Sequence, residues 1–216
     1  MDNISLYEDI KARTGGEIYL GVVGPVRTGK STFIRRFMDL CVIPSILDPN
    51  EKKRIIDELP QAGVGKTVMT TEPKFIPKTG IEIPLSNNVK AKFRLIDCVG
   101  YIVDSAQGVY EDDKERLVKT PWFDENIPFS KAAQTGTEKV IRDHSTIGIV
   151  MTTDGSIGEF TRDDYISAEE KAIMELKKIK KPFIVIVNST FPASDFTRKI
   201  ANEISEKYEV TALPMD

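Results

Sequence analysis

The stretch Gly21–Phe33, GVVGPVRTGKSTF, sets a glycine, four intervening residues and then Gly-Lys-Ser between two apolar segments. Before it lies Glu17-Ile-Tyr-Leu-Gly-Val-Val23, short, rich in β-branched residues and apolar, which reads as a buried strand. After it, Phe33, Ile34, Phe37, Met38 and Cys41 fall on one face of a helix that starts at Lys30. Strand, glycine loop and helix are the setting that the pattern G-x-x-x-x-G-K-[ST] needs to hold phosphate. The loop amides turn inward as a concave anion site, helped by the positive end of the helix. Gly24 and Gly29 permit the turn, Lys30 reaches β- and γ-phosphates, and the Ser31 hydroxyl is a Mg²⁺ ligand.

The chain of 216 residues is long enough for one substantial domain with its own core. Its 30 basic and 33 acidic residues are interspersed and leave a net charge of −3, so no global field favours nucleic acid. Two cysteines, Cys41 and Cys98, lie in or beside apolar runs and read as reduced core thiols. The first sixteen residues are polar and acidic, without a secretory pattern, and no apolar run approaches the ~20 residues of a membrane helix. A cytoplasmic location is expected.

Further strands are expected at Ile81–Leu85, Val89–Asp97, Thr146–Met151, Phe183–Val187 and Glu209–Leu213. Helices are expected at Glu51–Leu59, Ser130–Asp143, Ser167–Lys181 and Ser194–Lys207, with a capping box at Ser167 and Glu170. Gln61–Pro77 reads as loop, and Cys98–Phe129 as a long irregular stretch. Alternating elements, several strands apolar on both faces, imply an α/β fold: a mostly parallel sheet of about six strands flanked by helices, which together with the phosphate loop reads as a P-loop NTPase. The last residues, Leu213-Pro-Met-Asp, stop just past a strand, so residues 1–216 are expected to be the N-terminal domain of a longer protein.

Phe93-Arg-Leu-Ile-Asp97 puts a carboxylate at the tip of a strand, followed by Cys-Val-Gly100. That is where the second Mg²⁺ contact of such sites lies. The glutamine that orients water after this glycine in Ras-type switches is here Tyr101. Thr67, Thr70 and Thr71 lie in the loop GKTVMTTE, where a threonine closes onto Mg²⁺ and the γ-phosphate while the triphosphate is intact. Thr70 and Thr71 are favoured because they directly precede Glu72-Pro-Lys-Phe. Arg27, inside the loop, supplies transition-state charge in cis or forms a surface ion pair. Guanine-specific relatives carry Asn-Lys-x-Asp after a late strand, the aspartate accepting from the base. FIVIV runs instead into Asn188-Ser-Thr-Phe191, so the acceptor that selects guanine is missing, and adenine or low discrimination between bases is expected.

GPVRTGKSTF, DELPQ…GKTVMTTEPKF, LIDCVGY, TPWF and HSTIGIVMTTDGSIG together resemble the ATPase domain of the stage IV sporulation protein A family, over essentially the whole chain. The resemblance implies a Mg²⁺-dependent ATPase, related to translation-factor-type GTPases, with ATP as substrate. It also implies ATP-driven polymerisation into the basement layer of the spore coat. The implied place is the mother-cell cytoplasm, on the outer forespore membrane. The implied partners are other copies of itself, stage V sporulation protein M and coat morphogenetic proteins, mainly through middle and C-terminal domains outside these residues. By the same resemblance, Lys30 is the loop lysine, Asp97 the Mg²⁺-side acid, and Thr70 and Thr71 the sensor pair. The candidate nucleotide contacts are thus Gly24, Pro25, Val26, Arg27, Thr28, Gly29, Lys30, Ser31, Thr32, Gly100 and Asn188. The candidate metal ligands are Ser31, Thr71 and Asp97, and the catalytic group is Lys30, Thr70 and Thr71. A GTP switch, a small-molecule kinase and a nucleotide-binding scaffold without turnover are the competing readings. Ser189 and Phe191 speak against the first, the lack of an arginine-rich lid against the second, and Tyr101 leaves the third open.

Overall fold

A computed structural model describes residues 16–60, 72–86, 89–103, 106, 109–111 and 114–216. Glu17–Val23 forms β1, and its residues are buried from Leu20 onward because parallel neighbours flank it on both sides. Helix α1, Lys30–Phe37, runs on into a π turn at Met38–Val42 closed by the Ile43 N–H on the Met38 carbonyl. That wider turn advances the inward face by one residue. Val42 enters the core, and Cys41, expected there, is exposed. Helix α2, Pro49–Glu58, starts where the Asp48 carboxylate accepts the Asn50 N–H at 2.9 Å and Pro49 takes the first turn.

Strand β2, Lys74–Ser86, begins inside the segment expected to be loop through Pro77. It is the edge strand, antiparallel to β3, Val89–Asp97, and its register slips between Ile76 and Ile81. An edge irregularity is where a strand tolerates a proline without losing a ladder bond. The stretch expected to be irregular holds two short hairpins, β4 (Tyr110–Glu111) with β5 (Lys114–Glu115) and β6 (Leu117–Thr120) with β7 (Phe123–Pro128). They lead into α3, Phe129–Lys139, whose first residue is buried beneath the Arg116 guanidinium at 4.3 Å from the ring centroid.

Then follow β8 (Ile147–Thr153), α4 (Arg162–Lys178), β9 (Phe183–Asn188), α5 (Asp195–Tyr208) and β10 (Ala212–Met215). Helix α4 starts five residues before Ser167, where the Asp164 carboxylate accepts the Thr161 N–H at 2.7 Å. Thr-x-x-Asp serves the same role as the expected Ser-x-x-Glu, and it sits earlier. The final strand starts at Ala212 because Glu209 takes a left-handed conformation that ends α5.

The six-stranded sheet runs β10-β9-β8-β1-β3-β2, all parallel but β2. Alternation divides its side chains between two cores. Val150, Val185 and Val187 pack with α3, α4 and α5 through Ala133, Tyr165, Ile173 and Ile200. Leu20, Val22, Leu95 and Ile186 pack with α1 and α2 through Ile34, Met38 and Ile55. Each such aliphatic side chain contributes about 1.5–3 kcal/mol on burial. The result fixes the carboxyl ends of β1, β3, β8 and β9 on one rim, where ligands of open parallel sheets bind.

Candidate nucleotide site

At that rim, the loop between β1 and α1 holds Gly24, Arg27 and Gly29 at positive φ, of +125°, +64° and +85°. Successive left-handed and right-handed residues are what turn backbone N–H groups to one side as an anion cradle. A methyl group on Gly24 would lie 2.2 Å from the Met151 carbonyl, and one on Gly29 would lie 2.3 Å from the Asn188 amide nitrogen. The loop therefore sits directly on β8 and β9. Val26 and Thr28 turn their side chains inward, Thr28 Oγ1 donating to the Pro25 carbonyl at 2.9 Å. Pro25 has no N–H, and its carbonyl is taken by the Thr28 hydroxyl and the Lys30 ammonium; the Val26 N–H is committed to the Tyr101 carbonyl. Thr32 is exposed on α1.

Lys30 is buried, and its ammonium donates to the Pro25 carbonyl at 2.5 Å, across the mouth of the loop. Ser31 Oγ donates to Asp97 Oδ2 at 2.7 Å although 66 residues separate the two. Parallel pairing of Val22 with Asp97 brings them together. Asp97 Oδ1 is buried and has no hydrogen-bond partner among the described residues. Burial pushes the Asp97 carboxyl above its usual range against the Ser31 hydrogen bond, and it pulls the Lys30 ammonium down against Cys98 and Asp97. A cation beside Asp97 and an anion beside Lys30 are the charges that reverse both effects. The hydroxyl and the orphaned carboxylate oxygen are hard oxygen donors that fit Mg²⁺.

Gly100 has φ of +96°, and a Cβ there would come within 2.2 Å of the Gly24 carbonyl and 2.6 Å of Lys30 Nζ. Tyr101 follows and staples the loop: its N–H donates to the Gly24 carbonyl at 3.0 Å, and its carbonyl accepts from Val26 N–H at 2.9 Å. Its side chain points into the core, and its hydroxyl, without a hydrogen-bond partner among the described residues, is pushed toward the neutral form by burial. The backbone role of Tyr101 has no signature in sequence. Beside it, the buried Cys98 thiol is pushed up to about 11 by burial, so it is inert packing.

Asn188 Nδ2 donates to the Thr28 carbonyl at 3.1 Å, tying the end of β9 to the loop. Ser189, in the place of the guanine-motif lysine, is fully buried, while Phe191, in the place of the aspartate, is 70% exposed. Arg27 makes no ion pair shorter than 4 Å among the described residues, and its Nη2 is buried without a partner. Thr67, Thr70 and Thr71 lie outside the described residues. Sequence reasoning did not find Asp154, at the end of β8, whose carboxylate gathers Ser156, Ser189 and Thr197. The Asp-Gly-Ser that ends β8 was its one local signal.

A strand, a glycine-rich anion cradle and a helix on a mostly parallel sheet, with Lys30, Ser31 and Asp97 converging, define a P-loop NTPase fold. The family described as stage IV sporulation protein A, ATPase domain, matches residues 1–216, and the chain belongs to that family. It is 56% identical over 214 residues to stage IV sporulation protein A of Clostridioides difficile and 51% over 215 residues to that of Bacillus subtilis. These matches cover 99% and 100% of the chain but 44% of each relative, so the chain spans less than half the length of the curated proteins it matches. In fold it is similar to the crystal structure of a point variant of Aquifex aeolicus Era bound to GDP and AlF4⁻. The TM-score is 0.51 and the identity 16%, over 93% of this chain and 51% of that one. No helix among the described residues is long and apolar enough to cross a membrane.

Proposed function

We propose that this chain hydrolyses ATP. The observation that carries the proposal is the Ser31–Asp97 hydrogen bond of 2.7 Å beside a buried Lys30, at the mouth of a loop whose glycines leave the backbone open. Lys30 and the loop amides bind the β- and γ-phosphates, and Ser31, Asp97 and Thr71 hold Mg²⁺. A bound Mg²⁺ offsets the charge that develops on the phosphoryl oxygens. Tyr101 is committed to the core, so the residue after Gly100 does not orient water. That task falls to Thr70 and Thr71, which hold the loop state peculiar to intact triphosphate. The base is adenine, because Ser189 and Phe191 offer no carboxylate to guanine.

In the whole protein, the same hydrolysis drives self-assembly into the basement layer of the spore coat, on the outer forespore membrane of the mother cell. Other copies, stage V sporulation protein M and coat morphogenetic proteins are the partners, mainly through segments beyond these residues. Turnover of Mg·ATP and Mg·GTP tests the reading. ATP is expected to be hydrolysed at least tenfold faster, and Thr70→Ala with Thr71→Ala to stop turnover while sparing nucleotide binding. Faster turnover of GTP, or full activity of the double variant, contradicts it. The buried Tyr101 favours one second reading, a scaffold that binds ATP without turnover.

A further inference from the structure

Asp154 is 7% exposed and sits where β8 ends, within reach of three other elements. Its Oδ1 accepts from the Ser156 amide at 2.9 Å and from Ser156 Oγ at 2.6 Å. Its Oδ2 accepts from Ser189 Oγ at 2.6 Å and from Thr197 Oγ1 at 2.6 Å. The two serine hydroxyls pass the connection on: Ser156 Oγ accepts the Thr190 N–H at 3.0 Å, and Ser189 Oγ accepts the Phe191 N–H at 2.9 Å. The turn after Asn188 therefore hangs, by two backbone amides, on hydroxyls that one carboxylate orients. A hydroxyl that donates to a carboxylate must turn its lone pairs elsewhere, and here they face those amides.

This turn stands where guanine-specific relatives read their base. Here Ser189, in the place of the motif's lysine, is wholly buried, and the nearby carboxylate of Asp154 has all its bonding taken up by the protein. Burial opposes its ionisation, but the bonds from Ser156, Ser189 and Thr197 outweigh that and keep its carboxyl below the usual range.

We propose that Asp154 is a positioning residue for the nucleobase: through Ser156 and Ser189 it sets the turn Asn188–Phe191 on which the adenine end of the nucleotide seats. The inference rests on the ATPase reading and deepens it. Asp154 itself touches no nucleotide, because its oxygens are saturated. Its influence falls on the base, whereas the loop at Lys30 and Ser31 grips the phosphates independently.

Asp154→Asn keeps the shape and removes half the acceptors, so the hydroxyl pairs on its two sides can no longer all be met. Charge-assisted bonds of this kind are worth roughly a tenfold change or more in an equilibrium. In steady-state assays of the chain, Asp154→Asn is expected to raise KM for ATP about tenfold with kcat within about twofold, and to narrow the ATP-over-GTP ratio. Inhibition by magnesium tripolyphosphate, which has no base, is expected to match the wild type. Ser156→Ala, which removes one of the two supporting hydroxyls and leaves the carboxylate in place, is the second variant should Asp154→Asn fail to fold. A smaller rise in KM with the same tripolyphosphate inhibition is expected of it. Unchanged KM and ATP-over-GTP ratio, or equal weakening of ATP and tripolyphosphate, overturns the proposal. If the wild type neither binds nor turns over ATP, the ATPase reading fails first, which is a distinct result.

Discussion

Gly100 has no side chain, and that lack is what lets β3 end against the phosphate loop. With φ at +96° and only 2.2 Å from its virtual Cβ to the Gly24 carbonyl, the position accepts nothing larger. Gly100→Ala is expected to add about 1–3 kcal/mol of backbone strain and to push against Lys30 as well. Chemical denaturation should show the loss of stability, and ATP titration should show affinity falling at least tenfold. Wild-type behaviour in both would mean the loop and β3 are not in contact there. Lys30, Ser31 and Asp97 were legible in sequence because each is fixed by local spacing within a strand–loop–helix or at a strand tip. Tyr101 and Asp154 were not, since one acts through its backbone and the other through partners 35 and 43 residues away. Cys41 misled for a local reason: one extra residue in a π turn moves the buried face on to Val42.

Helix α4 shows how an element is held at the rim. Arg162, in its first turn, donates to Glu169 Oε2 at 2.6 Å and Oε1 at 2.9 Å, and Glu169 also accepts from Thr152 Oγ1 of β8 at 2.5 Å. Glu169 is 2% exposed and Arg162 16%, so a buried carboxylate is held bidentately by a partly buried guanidinium, which locks the helix to the strand. Removing one partner leaves a buried charge unmet. Arg162→Ala, which leaves the buried Glu169 carboxylate without its guanidinium, is expected to destabilise the domain by about 3 kcal/mol, measured as a shift in the denaturant midpoint. A change under about 1 kcal/mol would show that the pair contributes little to holding α4. Most element types were readable from periodicity, whereas their ends were decided by features that composition hides. The edge position lets β2 carry Pro77, and Thr161 with Asp164 starts α4 ahead of the more familiar pattern.

Across the whole molecule, the order β10-β9-β8-β1-β3-β2 gathers four strand ends on one rim and thereby joins residues distant in sequence into one site. In the proposed reading, the loop and β3 take the phosphates and the ends of β8 and β9 take the base. Apolar strands alternating with amphipathic helices announced the parallel sheet. The two hairpins between β3 and α3 were hidden because short charged strands carry little periodicity. In the proposed function, the loop at Gly24–Ser31 holds a triphosphate through Lys30. Calorimetric titration of a non-hydrolysable Mg·ATP analogue into the wild-type chain and into Lys30→Ala tests it most directly. Saturable binding by the wild type and none measurable by the variant at the same concentrations is the expected result. Equal affinity in the two, or no binding by the wild type, would contradict it.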